Sequence, residues 1–151
     1  MMKTMSWLAV GAVLCAGIAL AAEKSKINNA VFAAAGEQKF ADLPGFTGVQ
    51  MSVVEGDPAK GPSHFYLKYA GGFASPAHHH SADHHVTVVS GTLVLVVDGQ
   101  EHKLPAGSYF AFTGKEKHTT RCEAGADCVI FLDARGKWDV VPDEPKPEAR
   151  K

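Results

Sequence analysis

The chain has 151 residues, with 15 lysines and arginines against 16 aspartates and glutamates, a formal net charge of −1. No basic stripe runs along it, which argues against a nucleic-acid partner, and no extended acidic block is present to attract polycations. The length that remains after an apolar start suits one domain of ordinary size with one core.

Taken in chain order, Lys3 supplies a positive n-region, and residues 7–20 form an apolar or small-residue stretch without charge. Ala19-Leu20-Ala21 then offers the small-x-small pattern of a cleavage site, so residues 1–21 read as a signal peptide. The mature protein is therefore expected from Ala22, in the periplasm or secreted. A retained anchor is the alternative, but the stretch is short for a bilayer span of about 20 residues. No stable membrane span is expected after processing.

Residues 22–48 mix small and polar side chains and read as an N-terminal extension, with one short helical turn around residues 33–39. From Val49 onward the pattern is of strands punctuated by Gly and Pro about every 8 to 12 residues, the spacing of a β-sandwich or barrel. Candidate strands are 49–54, 64–69, 73–80, 85–90, 92–97, 100–104, 109–112, 118–122 and 129–133. Ser90-Gly91 and Asp98-Gly99 read as tight hairpin turns, because glycine accepts the positive φ such turns require. An all-β domain is expected over residues 49–141. Residues 142–151 carry three prolines and alternating charges, and a disordered tail is expected there.

Two cysteines follow the leader, Cys122 and Cys128, with Glu-Ala-Gly-Ala-Asp between them. In an exported protein a nearby pair favours a disulfide, and the sulfurs can meet if the flanking residues pair across a hairpin. Two free buried thiols, or a thiol near a metal, are the alternatives.

Eight histidines occur, and six fall in two windows, 77–85 and position 118. On an extended strand, residues i and i+2 share a face, so His78 and His80 project together with His79 opposite. Ser81-Ala82-Asp83 is long enough for a turn, after which His84 can start a returning strand with His85 facing away. With His118, four imidazoles can converge, a donor set that suits iron, copper, nickel or zinc better than magnesium or calcium. His64 and His102 stand alone and read as hydrogen-bonded or exposed. Asp83 reads either as a turn residue or as an acceptor that orients an imidazole N–H.

These residues resemble the cupin family. Its first motif, G-x5-H-x-H-x3-E-x6-G, is matched by Gly72, His78, His80 and Gly91, with His84 in place of the glutamate. The second, G-x5-P-x-G-x2-H-x3-N, keeps Gly107 and His118, while Thr113, Lys115 and Cys122 replace the proline, second glycine and asparagine. The resemblance spans roughly residues 49–133 and is nearest to small secreted bacterial cupins. It implies a double-stranded β-helix, or jelly-roll barrel, holding one divalent transition metal (Fe, Cu, Ni, Zn or Mn) on His78, His80, His84 and His118. It also implies a small-molecule ligand at an open barrel mouth and a homodimer formed through barrel edges.

Fold alone does not select a reaction. A metal-dependent enzyme acting on a small organic substrate, for instance a dioxygenase-like oxidoreductase, is one expectation. The missing glutamate leaves no evident catalytic acid or base, so no catalytic residue is assigned. That absence motivates a second reading, a non-catalytic metal- or small-ligand-binding protein of the cell envelope. A structural domain with a vestigial site is the third.

Overall fold

The computed structural model describes residues 30–143. The signal peptide expected at residues 1–21 lies outside the described residues, as does the tail beyond Asp143. A 3₁₀ turn at Ala35–Glu37 leads into eleven strands: β1 Ala41–Asp42, β2 Val49–Gly56, β3 Ser63–Tyr69, β4 His78–His79, β5 His84–Ser90, β6 Thr92–Val97, β7 Gln100–Pro105, β8 Tyr109–Phe112, β9 His118–Cys122, β10 Cys128–Ala134 and β11 Val141–Pro142. They form two antiparallel sheets, one in the order β1-β2-β3-β10-β5-β8 and the other β11-β4-β9-β6-β7. No helix among the described residues is long and apolar enough to cross a membrane.

The period-2 pattern in the sequence becomes the two-layer core. On β3, Phe65 and Leu67 are buried; on β5, Val86 and Val88; on β10, Ile130 and Leu132; on β6, Leu93 and Leu95. Their strand neighbours on the other parity are more exposed, except Val94 of β6, which is buried as well. Each such side chain removed from water contributes about 1.5–3 kcal/mol. The same alternation places His84 of β5 and His118 of β9 inside the molecule, at 3% and 5% exposure. Polar residues at these inward positions cost folding energy unless something satisfies them, and that singles them out.

The sequence reading needs four corrections. The strand expected at 73–80 is reduced to the two residues of β4 and an isolated bridge between Ala74 and Arg121. Pro76 has no N–H to contribute. At Ser75 the hydroxyl takes over part of the pairing, accepting from the Thr120 N–H at 2.9 Å, while the Ser75 N–H donates to the Thr120 carbonyl at 2.8 Å.

The barrel also extends past both expected boundaries. Ala41 and Asp42 pair with Met51 and Gln50, so part of the 22–48 extension belongs to a sheet. Pro142 pairs with His78 and Val141 with His79, so the chain from Val141 to Asp143 is a fastened edge where the tail was expected to begin.

Ser90-Gly91 is not a hairpin, because β5 and β6 lie in different sheets. Gly91 is the single residue between them, at φ +75°, and a Cβ there would stand 2.7 Å from the Asp127 carbonyl oxygen and 2.9 Å from Cys128 Sγ. Asp98-Gly99, by contrast, does join neighbouring strands β6 and β7, with both residues at positive φ.

Cys122 and Cys128 are joined, with Cα atoms 5.8 Å apart. Their strands do not form a hairpin: Cys122 pairs with Leu93 in one sheet and Cys128 with Tyr69 in the other. The bond therefore ties the two sheets together.

Candidate metal centre

His78, His80 and His118 bring one ring nitrogen each into a group whose atoms all lie within 4.8 Å of one another. Two stretches of chain meet here because β4 pairs with β9 in a register that sets His78 opposite His118. The ring centroids of these two are 4.4 Å apart, and that of His80 lies 5.1 Å from His78 and 5.3 Å from His118. His84 lies beside His80, with centroids 4.9 Å apart, but outside the mutually close trio. All four rings are buried.

Each ring is held the same way. His78 Nδ1–H donates to the Pro76 carbonyl at 3.0 Å, His118 to the Glu116 carbonyl at 2.9 Å, His84 to the Ala82 carbonyl at 3.2 Å, and His80 to the Asp139 carbonyl. A carbonyl only accepts, so Nδ1 must carry the proton, and in the neutral ring the lone pair is left on Nε2. Three of these acceptors lie two residues before their histidine in sequence, so the strand entry orients its own ring. The arrangement is the one that metal-bound histidines need.

Burial then keeps the rings neutral. Desolvation, the largest influence, pushes His80 down to about 3 and His118 down to about 4, and lowers His78 and His84 as well. The carbonyl hydrogen bonds oppose this, and the mutual repulsion of the rings adds to it. At neutral pH the cluster is a set of neutral imidazoles, protonated on Nδ1 and with free Nε2 lone pairs, which is what a borderline-soft divalent cation requires. The donor set fits a transition metal. His78, His80 and His118 would hold it, with His84 within reach of the same group.

Other expected residues fall elsewhere. His79 faces away and meets Asp143 at 3.2 Å, and His85 hydrogen-bonds the Tyr109 hydroxyl. His64 contacts Glu55 and Asp133, and His102 is exposed. Asp83 does not orient an imidazole through its carboxylate. Its Oδ1 accepts from the Gly114 N–H at 2.7 Å, so it closes a loop against β8 and leaves the histidines to backbone carbonyls.

Sequence reasoning missed the segment Trp138 to Asp143. The Trp138 ring stacks on His80 at 3.9 Å and meets His84 edge-on at 5.1 Å. Asp139 supplies the His80 acceptor through its carbonyl, while its carboxylate accepts from the Ser81 N–H and hydroxyl. The available signal was that Trp138 is the one tryptophan beyond the leader. A large apolar ring past the last strongly patterned strand has to bury itself on something.

A cavity of about 320 Å³ opens beside His78 and His80, walled by Leu43, Phe46, Val49, Phe73 and Val140 among others. Tyr69 stacks on Phe73 at 5.0 Å along this wall, and burial raises its hydroxyl well above the usual phenol range. It stays protonated at every pH of interest.

The family model described as a cupin domain matches residues 65–134. No curated protein matches the chain. Among solved structures, the chain is similar to the polyketide cyclase RemF from Streptomyces resistomycificus, at 17% identity and TM-score 0.64, over 78% of this chain and 87% of that one. It is similar to an RmlC-like cupin protein from Ralstonia eutropha JMP134, at 23% identity and TM-score 0.61, over 77% and 74%. It is also similar to the DMSP lyase DddQ from Ruegeria pomeroyi DSS-3, at 13% identity and TM-score 0.59, over 81% and 75%. At these identities the likeness concerns the fold, and the activities belong to those proteins. Residues 65–134 form a cupin domain, set inside an all-β jelly-roll barrel of two antiparallel sheets.

Proposed function

We propose that this protein is an exported, metal-dependent enzyme that acts on a small organic molecule, with one divalent transition metal on His78, His80 and His118 and with His84 completing the set. The observation that carries the reading is the uniform commitment of Nδ1 to backbone carbonyls around a common point, next to an open cavity. A purely structural histidine cluster has no need for all its Nε2 atoms to be left with lone pairs.

A bound divalent ion supplies Lewis acidity toward an oxygen of the ligand. The chain's own residues do the rest. The Nδ1 hydrogen bonds hold the imidazoles in register, Trp138 and Phe112 pack against His80 and His118 and keep water from their flanks, and the apolar wall orients the ligand. Pairing of two copies through a sheet edge belongs to the same proposal, and sedimentation velocity tests it.

The test is elemental analysis of protein taken from its own compartment, followed by turnover assays on protein loaded with iron, copper, nickel, manganese or zinc. Oxygen uptake separates an oxidoreductase from non-redox chemistry. A stoichiometric ion and substrate-dependent turnover are expected, and His84→Glu is expected to shift metal preference toward manganese and iron, since a carboxylate oxygen replaces a nitrogen donor. A protein without stoichiometric metal overturns the reading.

One observation favours a second reading, a non-catalytic metal- or ligand-binding protein of the cell envelope. No aspartate or glutamate lines the cavity among the described residues, so no carboxylate stands ready as acid or base. Tight metal binding with no turnover on any substrate is its signature.

A further inference from the structure

The cavity beside the histidines has a wall and a neck of different chemistry. Among the described residues, no lysine, arginine, aspartate or glutamate lines it. Its wide part is apolar, with Leu43, Phe46, Val49, Leu67, Phe73 and Val140, and it offers aromatic faces from Phe46 and Phe73. Further in, a small space of about 20 Å³ continues toward His84 and His118. That is room for one hydroxyl-sized group.

Tyr69, His80, Thr120 and Trp138 line both the outer cavity and this inner space, so they form the passage between the two. Tyr69 and Thr120 bring hydroxyls to it. The Trp138 ring lines it too, and its buried indole N–H has no hydrogen-bond partner among the described residues. An ionised ligand entering here loses its hydration without meeting a compensating side-chain charge in the wall, which is costly. A neutral ring loses nothing by the same transfer and gains the burial of its apolar surface.

We propose that this cavity takes an uncharged, ring-bearing molecule, its ring against Leu43, Phe46 and Phe73 and one hydroxyl or carbonyl oxygen in the neck beside Tyr69 and Trp138. This rests on the same site as the function proposed above and deepens it by naming the ligand class. The wall selects against charge, and the neck selects for a single oxygen. Tyr69 is a positioning residue here: a phenol that remains protonated donates to that oxygen whatever the pH.

Equilibrium dialysis with 2-naphthol and its carboxylate counterpart 2-naphthoate tests this, on metal-free and metal-loaded protein, with metal content measured on the same samples. 2-Naphthol is expected to bind at least about tenfold more tightly than 2-naphthoate to the metal-free protein, the direction set by desolvation of the carboxylate. The gap is expected to narrow in the metal-loaded form, where a divalent ion on neutral imidazoles attracts the carboxylate. Tyr69→Phe is expected to weaken 2-naphthol about fivefold, the usual worth of one neutral hydrogen bond. Val140→Asp puts a charge in the wall from the chain beyond the last long strand. It is expected to weaken 2-naphthol binding to the metal-free protein about tenfold or more.

Equal or tighter binding of 2-naphthoate to the metal-free protein overturns the proposal, as does the absence of 2-naphthol binding to folded protein that still takes up metal. Undiminished 2-naphthol binding by Val140→Asp overturns it too, and by Tyr69→Phe it removes the neck assignment. Selective 2-naphthol binding by a chain that takes up no metal supports this inference and sinks the metal-dependent reading, so the two fail separately.

Discussion

The two ends of the barrel are built on opposite principles. At one end the sheets are tied by the covalent bond between Cys122 and Cys128, packed under the Gly91 corner where the chain passes from one sheet to the other. At the other end, four buried histidines face one another, held by hydrogen bonds to carbonyls and strapped by Trp138 to Asp143. The two ends share strands: β9 carries His118 at its start and Cys122 at its finish, and β5 runs from His84 to Ser90. One end is cross-linked and close-packed, and the other gives up stability to keep neutral lone pairs out of water. The covalent end lets the barrel tolerate polar groups at the histidine end.

The comparison is broken most completely by removing a histidine. His80→Ala is expected to weaken metal binding by more than about 100-fold, because loss of even an outer partner costs 10–100-fold. Isothermal titration with zinc or nickel reads it, and wild-type affinity in that variant would separate the trio from any metal role.

Acid acts on the same end. The folded values for these histidines lie below the unfolded value of 6.5, so as pH falls the unfolded chain takes up protons first. Stability of the metal-free protein is full above about pH 6.5. It is expected to fall as pH drops toward about 4, where His118 protonates, and about 3, where His80 does. The slope is about 1.4 kcal/mol per pH unit for each ring that stays neutral in the fold. Urea unfolding at several pH values measures it, and a flat profile between pH 6.5 and 4.5 contradicts it.

At the other end, Gly91→Ala is expected to cost about 2–4 kcal/mol, since a Cβ meets the Asp127 carbonyl and Cys128 at a positive φ. The folded fraction should still take up metal. If the metal site is lost before the fold, the two ends are more tightly coupled than their construction indicates.

Reduction of the disulfide sharpens the contrast with the smallest effect. A link across so short a loop is worth about 2 kcal/mol by the loop-closure argument. The unfolding free energy measured by urea titration is expected to fall by that amount, with metal affinity changed less than threefold. A large loss of metal affinity on reduction shows that the cross-link positions His118 as well as the sheets.

Much of this architecture was legible in the chain because strand alternation is local. The inward parity of His78, His84 and His118, and the outward parity of His79 and His85, follow from counting residues along extended segments. The sulfur pairing was legible too, from compartment and spacing, although the hairpin assumed for it was wrong because adjacent strands in sequence lie in different sheets. Ser90-Gly91 misled for the same reason: a turn dipeptide announces a change of direction and says nothing about which sheet the chain enters. The Trp138–Asp143 strap was hidden because its hydrogen bonds run to residues about 60 positions earlier, and a proline-rich charged end offers no periodicity to read.

By itself, then, the order of residues determined the strand content, the facing of each histidine on its own strand and the family those spacings belong to. Such properties depend on a few neighbouring dihedrals and on side-chain polarity. Only the tertiary structure decided that three of the four rings form the close group and that backbone carbonyls, not Asp83, hold their protons. It alone supplied Trp138 as the cover of His80 and the apolar cavity beside it. Those outcomes depend on distances between segments far apart in the chain, which no local pattern encodes.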